Sequence, residues 1–196
     1  MIYERNFEYL AAQLEPHLHP RELALVRRAY DVAEAAHTGQ MRDEGTPYIV
    51  HPIRVAVSLA DELEIYSPQL ICGALMHDVI EDTPITREMV AEDFGEEIAH
   101  IVWLLTKYEE VSLPAYLKAI EEAADKGVLL VKLCDRLDNL RFLAHSPKAE
   151  KKRRYIRTTE AFYLPLAART NYYLYREIRR WLEEARNHVK TMTSDR

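Results

Sequence analysis

No run in this sequence approaches the ~18 consecutive apolar residues that a bilayer-crossing helix needs. The longest apolar stretches, such as residues 128–133, are far too short. Residues 1–14 carry Glu4, Arg5 and Glu8 among their apolar side chains, unlike the uninterrupted core of a secretory leader. Cysteine is almost missing: Cys72 and Cys134 each sit inside an apolar helical pattern. They read as small buried hydrophobes in a reducing compartment rather than a disulfide, so the expected location is cytoplasmic. A surplus of positive charge is lacking too. With 26 Lys+Arg against 32 Asp+Glu the formal net charge is −6, which argues against the broad basic surface that duplex nucleic acid requires. A nucleotide substrate is not excluded, because a small anionic ligand needs only a positive pocket and a metal can supply local charge.

What is present is an ordinary globular composition, 48% hydrophobic and 30% charged over 196 residues, sufficient for one domain without cross-links. The hydrophobic pattern is helical nearly throughout. Leu23, Val26, Ala29, Tyr30, Ala33 and Ala36 recur at helical spacing behind Pro20, which suits a first turn. The pattern stops over residues 39–48, where Gly45 and Pro47 mark a loop, with a short hairpin near residues 41–50. His51-Pro52 opens a helix through Ile53, Ala56, Val57, Ala60 and Leu63, with Pro52 at its first position and His51 as its cap. Ser67-Pro68 starts the next, through Leu70, Ile71, Ala74, Leu75 and Val79, and Thr83-Pro84 ends it. Residues 94–107 and 113–124 read as further amphipathic helices. Gly127 breaks the chain, and residues 128–143 follow as a strongly apolar helix. A last helical stretch over 148–188 bends near Pro165. With no convincing strand, the expected fold is all-α: one helical bundle over residues 1–188, then a disordered tail over 189–196.

The densest chemistry lies in ALMHDVIEDT, residues 74–83. His77 and Asp78 are adjacent on this helix. Glu81 follows His77, and Asp82 follows Asp78, at the four-residue spacing that brings side chains to one broad side. Three carboxylates and an imidazole crowded there repel one another unless a cation neutralises them. Neutral imidazole with carboxylate oxygens is a donor set that manganese or iron accepts. The bland alternative is a solvated acidic helix end, but that leaves unexplained why these groups directly follow Leu70, Ile71, Ala74, Leu75 and Met76. Asp135 interrupts the apolar LLVKLCDRL, where a buried carboxylate needs either a metal or an ion pair with Lys132 or Arg136. His51, beside the loop, is a ligand candidate or a structural cap.

A histidine, a distant His-Asp pair and a more distant aspartate resemble the signature of the HD phosphohydrolase superfamily. AHTGQMRDEGTPYIVHP (36–52), ALMHDVIEDT (74–83), FGEEIAHIVWLLTK (94–107), LVKLCDRLDNLR (130–141) and FYLPLAAR (162–169) resemble, in order, successive blocks of the RelA/SpoT hydrolase domain. The resemblance implies an HD-type bundle holding one Mn²⁺ through His51, His77, Asp78 and Asp135, with Fe²⁺ also compatible. It implies that Glu81 and Asp82 are the catalytic pair that positions and activates water, that Arg42 contacts base or phosphates, and that Asn139 hydrogen-bonds the ribose. The implied activity is hydrolysis of the 3′-diphosphate of guanosine alarmones, ppGpp and pppGpp, to GDP or GTP and pyrophosphate. The implied partner is a small-molecule nucleotide, with neither nucleic acid nor membrane. Because the chain stops soon after these blocks, it resembles the stand-alone small hydrolases of the family, of metazoan SpoT-homologue type.

Three positions depart from the family pattern. Asp43 stands where lysine is usual, Asp138 where histidine is frequent, and Phe142 where a small polar residue is common near the base. These imply altered base selectivity, with Phe142 offering aromatic stacking in place of a lost cation. Rival readings are an HD hydrolase acting on the NADPH 2′-phosphate or a deoxynucleotide, or a nucleotide sensor that has lost hydrolysis. Lys148, Lys151, Lys152, Arg153, Arg154 and Arg157 form a basic cluster, read as a solvated helix face or a phosphate-attracting rim. Tyr172, Tyr173, Tyr175 and Trp181 enrich the last helix in aromatics that pack on the core or form a dimer surface.

Overall fold

The computed structural model describes residues 6–194 except position 124, and twelve α-helices lie among them. α1 (Phe7–Leu14) and α2 (Pro20–Ala36) lead into the loop of residues 39–48. Then come α3 (Val50–Val57), α4 (Pro68–Leu75), α5 (Val79–Asp82), α6 (Arg87–Phe94), α7 (Glu96–Leu105) and α8 (Leu113–Glu122). α9 (Lys126–Arg141), α10 (Ala149–Thr158), α11 (Leu164–Thr170) and α12 (Tyr172–Ser194) complete the bundle. No strand forms among the described residues, so the all-α expectation holds. The expected hairpin reduces to a single antiparallel bridge between Met41 and Pro47. Gly45, at φ 83°, turns the chain there.

Local chemistry sets most helix starts. Asn6, Ser67, Thr86, Ser112 and Asp125 each accept a backbone N–H of the first turn that follows. α2 opens with a reciprocal box: the His19 side chain takes a first-turn N–H while Glu22 accepts the N–H of His19 at 2.8 Å. α9 is the centre of the packing. It touches α3, α4, α7, α8, α11 and α12, and Val128, Val131, Leu133, Cys134 and Leu137 on it are fully buried. Each buried aliphatic side chain of this kind contributes about 1.5–3 kcal/mol relative to exposure. The helix is buried on nearly every side, its charged residues included. Both cysteines are buried and free, as expected.

Several boundaries differ from the sequence pattern. His51 is not a cap: the N–H groups of Val50 and His51 bond to the carbonyls of Pro47 and Tyr48, so α3 is already wound when it reaches Pro52. Pro52 still falls in the first turn, where its missing N–H costs nothing. Beyond Val57 the helix widens to a π turn over Ser58–Glu62. The helix read from Ser67 to Thr83 is interrupted at residues 76–78. Gly95, at φ 85°, separates α6 from α7, and α1 and α6 are helices that the periodicity did not reveal. Gly127 does not break the chain but lies in the first turn of α9, where a Cβ would come within 2.7 Å of the Leu70 methyls. The final stretch widens to a π turn over Thr159–Tyr163, just before Pro165, and breaks at Asn171. α12 runs on to Ser194, so most of the expected disordered tail is helical; residues 195–196 lie outside the described residues.

Candidate metal centre

α9 is walled in by other helices yet carries Lys132, Asp135, Arg136 and Asp138, all buried. Charges so placed need partners. The two aspartates find them on α3 and at the junction of α4 and α5.

That junction is built by His77 itself. Its Nδ1 lies 2.7 Å from the carbonyl oxygen of Ala74, the acceptor that a continuing helix would give to the N–H of Asp78. The side chain has taken the backbone's partner, and Asp78 sits at φ −105°, ψ −1°, between two helices rather than on one. A carbonyl only accepts, so Nδ1 carries the proton and Nε2 is turned inward. The Nε2 of His51 is turned to the same place, because its Nδ1 bonds the Asp138 carboxylate at 2.6 Å.

The two imidazole rings meet edge to face with centroids 5.1 Å apart. His77 Nε2 lies 3.0 Å from Asp78 Oδ2 and 4.0 Å from Asp135 Oδ1. His51 Nε2 lies 3.3 Å from Asp135 Oδ1 and 3.9 Å from Asp78 Oδ2. His51, His77 and Asp78 each offer one donor atom, and these atoms lie within 4.8 Å of one another. An imidazole lone pair and a carboxylate at such distances repel unless a proton or a cation lies between them. With only protons available, burial opposes charge on His77, but Asp78 and Asp135 outweigh it and push its pKa up to about 9. Burial likewise works against ionised Asp78 and Asp135; His77 beside the first and Lys132 beside the second hold both below the usual carboxylate range. His77 Nε2 is buried with no well-aimed hydrogen bond. Two inward nitrogens and two ionised carboxylates are a donor set that fits a divalent cation.

Glu81 and Asp82, on α5, stand next to this cluster. Glu81 Oε2 accepts the backbone N–H of Lys107 at 2.8 Å, and burial raises its pKa. Burial, then the neighbouring Asp78, raises that of Asp82. The Tyr48 hydroxyl lies 2.6 Å from Asp78 Oδ2 and 3.2 Å from Asp82 Oδ2, tying the two carboxylates together. All of these groups except buried His77 and Asp138 line one pocket of about 520 Å³, a size suited to a nucleotide. Arg42, Asn139, Lys107, Lys132, Arg136 and Arg154 line it too. Arg136 stacks on Tyr163 and Tyr155, with its guanidinium carbon 3.9 and 4.5 Å from the ring centroids. Lys132 Nζ is 3.1 Å from Asp135 Oδ2, so the ion-pair partner weighed for Asp135 is present beside the imidazoles.

The structure thus brings together every sequence-predicted site residue: His51, His77, Asp78, Asp135, Glu81, Asp82, Arg42 and Asn139. None of the three departures lines the pocket: Asp138 is buried behind His51, and the other two face elsewhere. Phe142 is 5% exposed, with the Arg54 guanidinium 3.5 Å from its ring centroid, and is not in the pocket; it cannot stack on a base there. Asp43 accepts from Lys151 at 2.6 Å and Ser146 at 2.8 Å and pins the loop to the start of α10. Lys151 and Lys148 are thereby engaged, Lys152 donates to the Ala144 carbonyl, and Arg154 is the member of the basic cluster that reaches the pocket. On α12, Tyr173, Tyr175 and Trp181 pack against the core while Tyr172 stays exposed. Sequence reasoning missed Tyr48, whose place three residues before His51 was the available signal, and the contact that Asp138 makes.

A helical bundle closed around a paired histidine and aspartate cluster defines the class of fold. Residues 29–172 match the family described as HD domain, and the chain belongs to that family. A GTP pyrophosphokinase from Myxococcus xanthus is 39% identical over 160 residues, covering 76% of this chain and 21% of that protein. The bifunctional (p)ppGpp synthase/hydrolase SpoT of Escherichia coli K12 is 37% identical over 172 residues, 83% of this chain and 24% of that protein. The chain therefore spans between a fifth and a quarter of the length of these curated relatives. A solved structure, described as a metazoan ortholog of SpoT that hydrolyzes ppGpp and plays a role in starvation responses, superposes with a TM-score of 0.72. It is 28% identical, and the match covers 82% of this chain and 95% of that one.

Proposed function

We propose that this chain is a metal-dependent 3′-diphosphatase that hydrolyses ppGpp and pppGpp to GDP or GTP and pyrophosphate. The observation that carries the reading is the cluster of His51, His77 and Asp78, with donor atoms within 4.8 Å, beside Glu81 and Asp82 in a nucleotide-sized pocket. The names of the relatives support it: one is a (p)ppGpp synthase/hydrolase and another an ortholog that hydrolyzes ppGpp. His51, His77, Asp78 and Asp135 would hold one Mn²⁺, and the same donors suit Fe²⁺. When bound, the ion would lower the pKa of water and polarise a phosphoryl oxygen.

The remaining steps belong to side chains. Glu81, aimed by the Lys107 N–H, accepts the proton of the attacking water, and Asp82 orients that water. Arg42 and Asn139 place the nucleoside, while Lys132, Arg136 and Arg154 offset phosphate charge. The substrate is a small molecule, and the place of action is the cytoplasm. The test is mass-resolved product analysis after incubating Mn²⁺-loaded protein with ppGpp, pppGpp, NADPH and deoxynucleoside triphosphates. The expected products are GDP or GTP and pyrophosphate from the alarmones. Intact ppGpp alongside turnover of NADPH or a deoxynucleotide would overturn the substrate, and binding of ppGpp with no product from any nucleotide would make the chain a sensor.

A further inference from the structure

Asp138 is 1% exposed and lies three residues beyond Asp135 on α9, away from the pocket lining. Its Oδ2 accepts from His51 Nδ1 at 2.6 Å. Its Oδ1 forms an ion pair with Arg54 Nε at 2.9 Å, although that N–H is not aimed for a hydrogen bond. Arg54, one turn beyond His51 on α3, is 3% exposed and donates to Glu44 Oε1 at 2.8 Å. A buried chain of contacts therefore runs His51–Asp138–Arg54–Glu44, from the metal centre to the loop that carries Arg42.

Arg54 balances the buried carboxylate, and a structural ion pair would need nothing more. The bond to His51 is the surplus that calls for an explanation. A carboxylate accepts but does not donate, so it fixes the His51 proton on Nδ1 and leaves the Nε2 lone pair facing Asp135 and Asp78. His77 is held by a neutral carbonyl instead, so the two histidines are set by partners of different charge. A negative partner on the far nitrogen strengthens an imidazole as a donor, and losing such a partner typically costs about 10–100-fold in metal affinity. We infer that Asp138 is a positioning residue for the metal centre: it fixes the tautomer and aim of His51 and strengthens its bond to the cation. The inference rests on the metal reading above, and it removes Asp138 from the determinants of base selectivity.

The test compares the wild-type chain with Asp138→Asn, the double variant Arg54→Gln/Asp138→Asn, which leaves no stranded cation, and His51→Ala. Nitrogen NMR of the metal-free protein reads the His51 tautomer, titration with Mn²⁺ reads affinity, and circular dichroism reads folding. The expected result is a wild-type His51 protonated on Nδ1 with a strongly downfield proton. In the folded Asp138 variants that signal weakens or moves, and Mn²⁺ affinity falls about 10–100-fold. If those variants fold, keep the signal and bind Mn²⁺ within about twofold of wild type, the role of Asp138 is overturned and the metal reading stands. If wild type binds no Mn²⁺, or His51→Ala binds it equally well, the metal reading falls and this inference with it.

Discussion

Arg42 donates to Asn139 Oδ1 at 2.9 Å, and Asn139 in turn donates from Nδ2 to the carboxylate and carbonyl of Asp135. The loop of residues 39–48 is thus tied to α9 through the two side chains assigned to the nucleotide. The bonds differ in what they support. Arg42 joins loop to helix, whereas Asn139 also braces a ligand candidate. Arg42→Ala is expected to raise KM and lower kcat/KM about 10–100-fold, the loss of one charge-assisted hydrogen bond of about 1.5–3 kcal/mol, with Mn²⁺ affinity unchanged. Asn139→Ala is expected to lower kcat/KM similarly and to weaken Mn²⁺ binding as well. Equal Mn²⁺ affinity in the two variants would show that Asn139 does not brace Asp135.

Glu81 must be ionised to take a proton, and burial raises its pKa as it does that of Asp82. The sign follows directly. A raised pKa keeps the carboxyl protonated to higher pH, so activity is lost as pH falls and Glu81 takes up its proton, and a bound cation beside it shifts that midpoint downward. At saturating Mn²⁺, kcat is expected to rise with pH along an acid limb and then level off. Glu81→Gln is expected to cut kcat about 10²–10⁴-fold while Mn²⁺ still binds. A profile with no acid limb, or a Gln variant with wild-type kcat, would remove Glu81 from the role of base.

The helical architecture was legible in the hydrophobic spacing; part of the candidate site stood out for a second physical reason, while the roles of Glu81, Asp82, Arg42 and Asn139 came from the resemblance. Asp135 and His77-Asp78 interrupt runs that the apolar pattern buries, and buried charge demands partners. What the pattern hid was side-chain competition and tertiary fit. The break at residues 76–78 exists because His77 Nδ1 takes the Ala74 carbonyl, a bond with no periodicity to betray it. Gly127 reads as a breaker by local propensity, yet it sits in α9 because Leu70 of α4 leaves no room for a Cβ. Asp138 and Phe142 were assigned to the base from their position in a motif. Their direction depends on how α9 meets α3, where Arg54 draws the carboxylate inward and covers the ring.

Metal removal is expected to act on stability as well as activity. The carboxylates and imidazoles of the centre converge from α3, α9 and the α4–α5 junction, so a bound ion cross-links three parts of the bundle. A ligand at about 100 times its Kd stabilises the folded state by about 2.7 kcal/mol. In a domain of this size that corresponds to a Tm roughly 5–10 °C higher. Scanning calorimetry with Mn²⁺ and with a chelator is expected to show that gap in the wild type and its loss in His77→Ala. A Tm indifferent to Mn²⁺ in the wild type would contradict the centre as built.

Gly73, inside α4, tests the packing that aims the site. A Cβ there would overlap the Ile101 Cγ2 of α7, and Ile101 is buried and β-branched, with no free end to swing aside. Helix propensity alone would make Gly73→Ala stabilising by about 1 kcal/mol. The clash is expected to win, with a net loss of about 1–3 kcal/mol in urea unfolding. Ile101→Ala removes the obstructing methyl at its own cost of about 2–5 kcal/mol. The double variant should therefore lose less than the sum of the two, by more than about 0.5 kcal/mol. The same strain has a catalytic consequence. α4 delivers His77, and the chain leaving α7 supplies the Lys107 N–H that holds Glu81, so pushing these helices apart separates the base from the metal ligands. Gly73→Ala is expected to lower kcat beyond what its unfolded fraction explains, and a stabilised, fully active variant would show that α4 and α7 are not packed as closely as this.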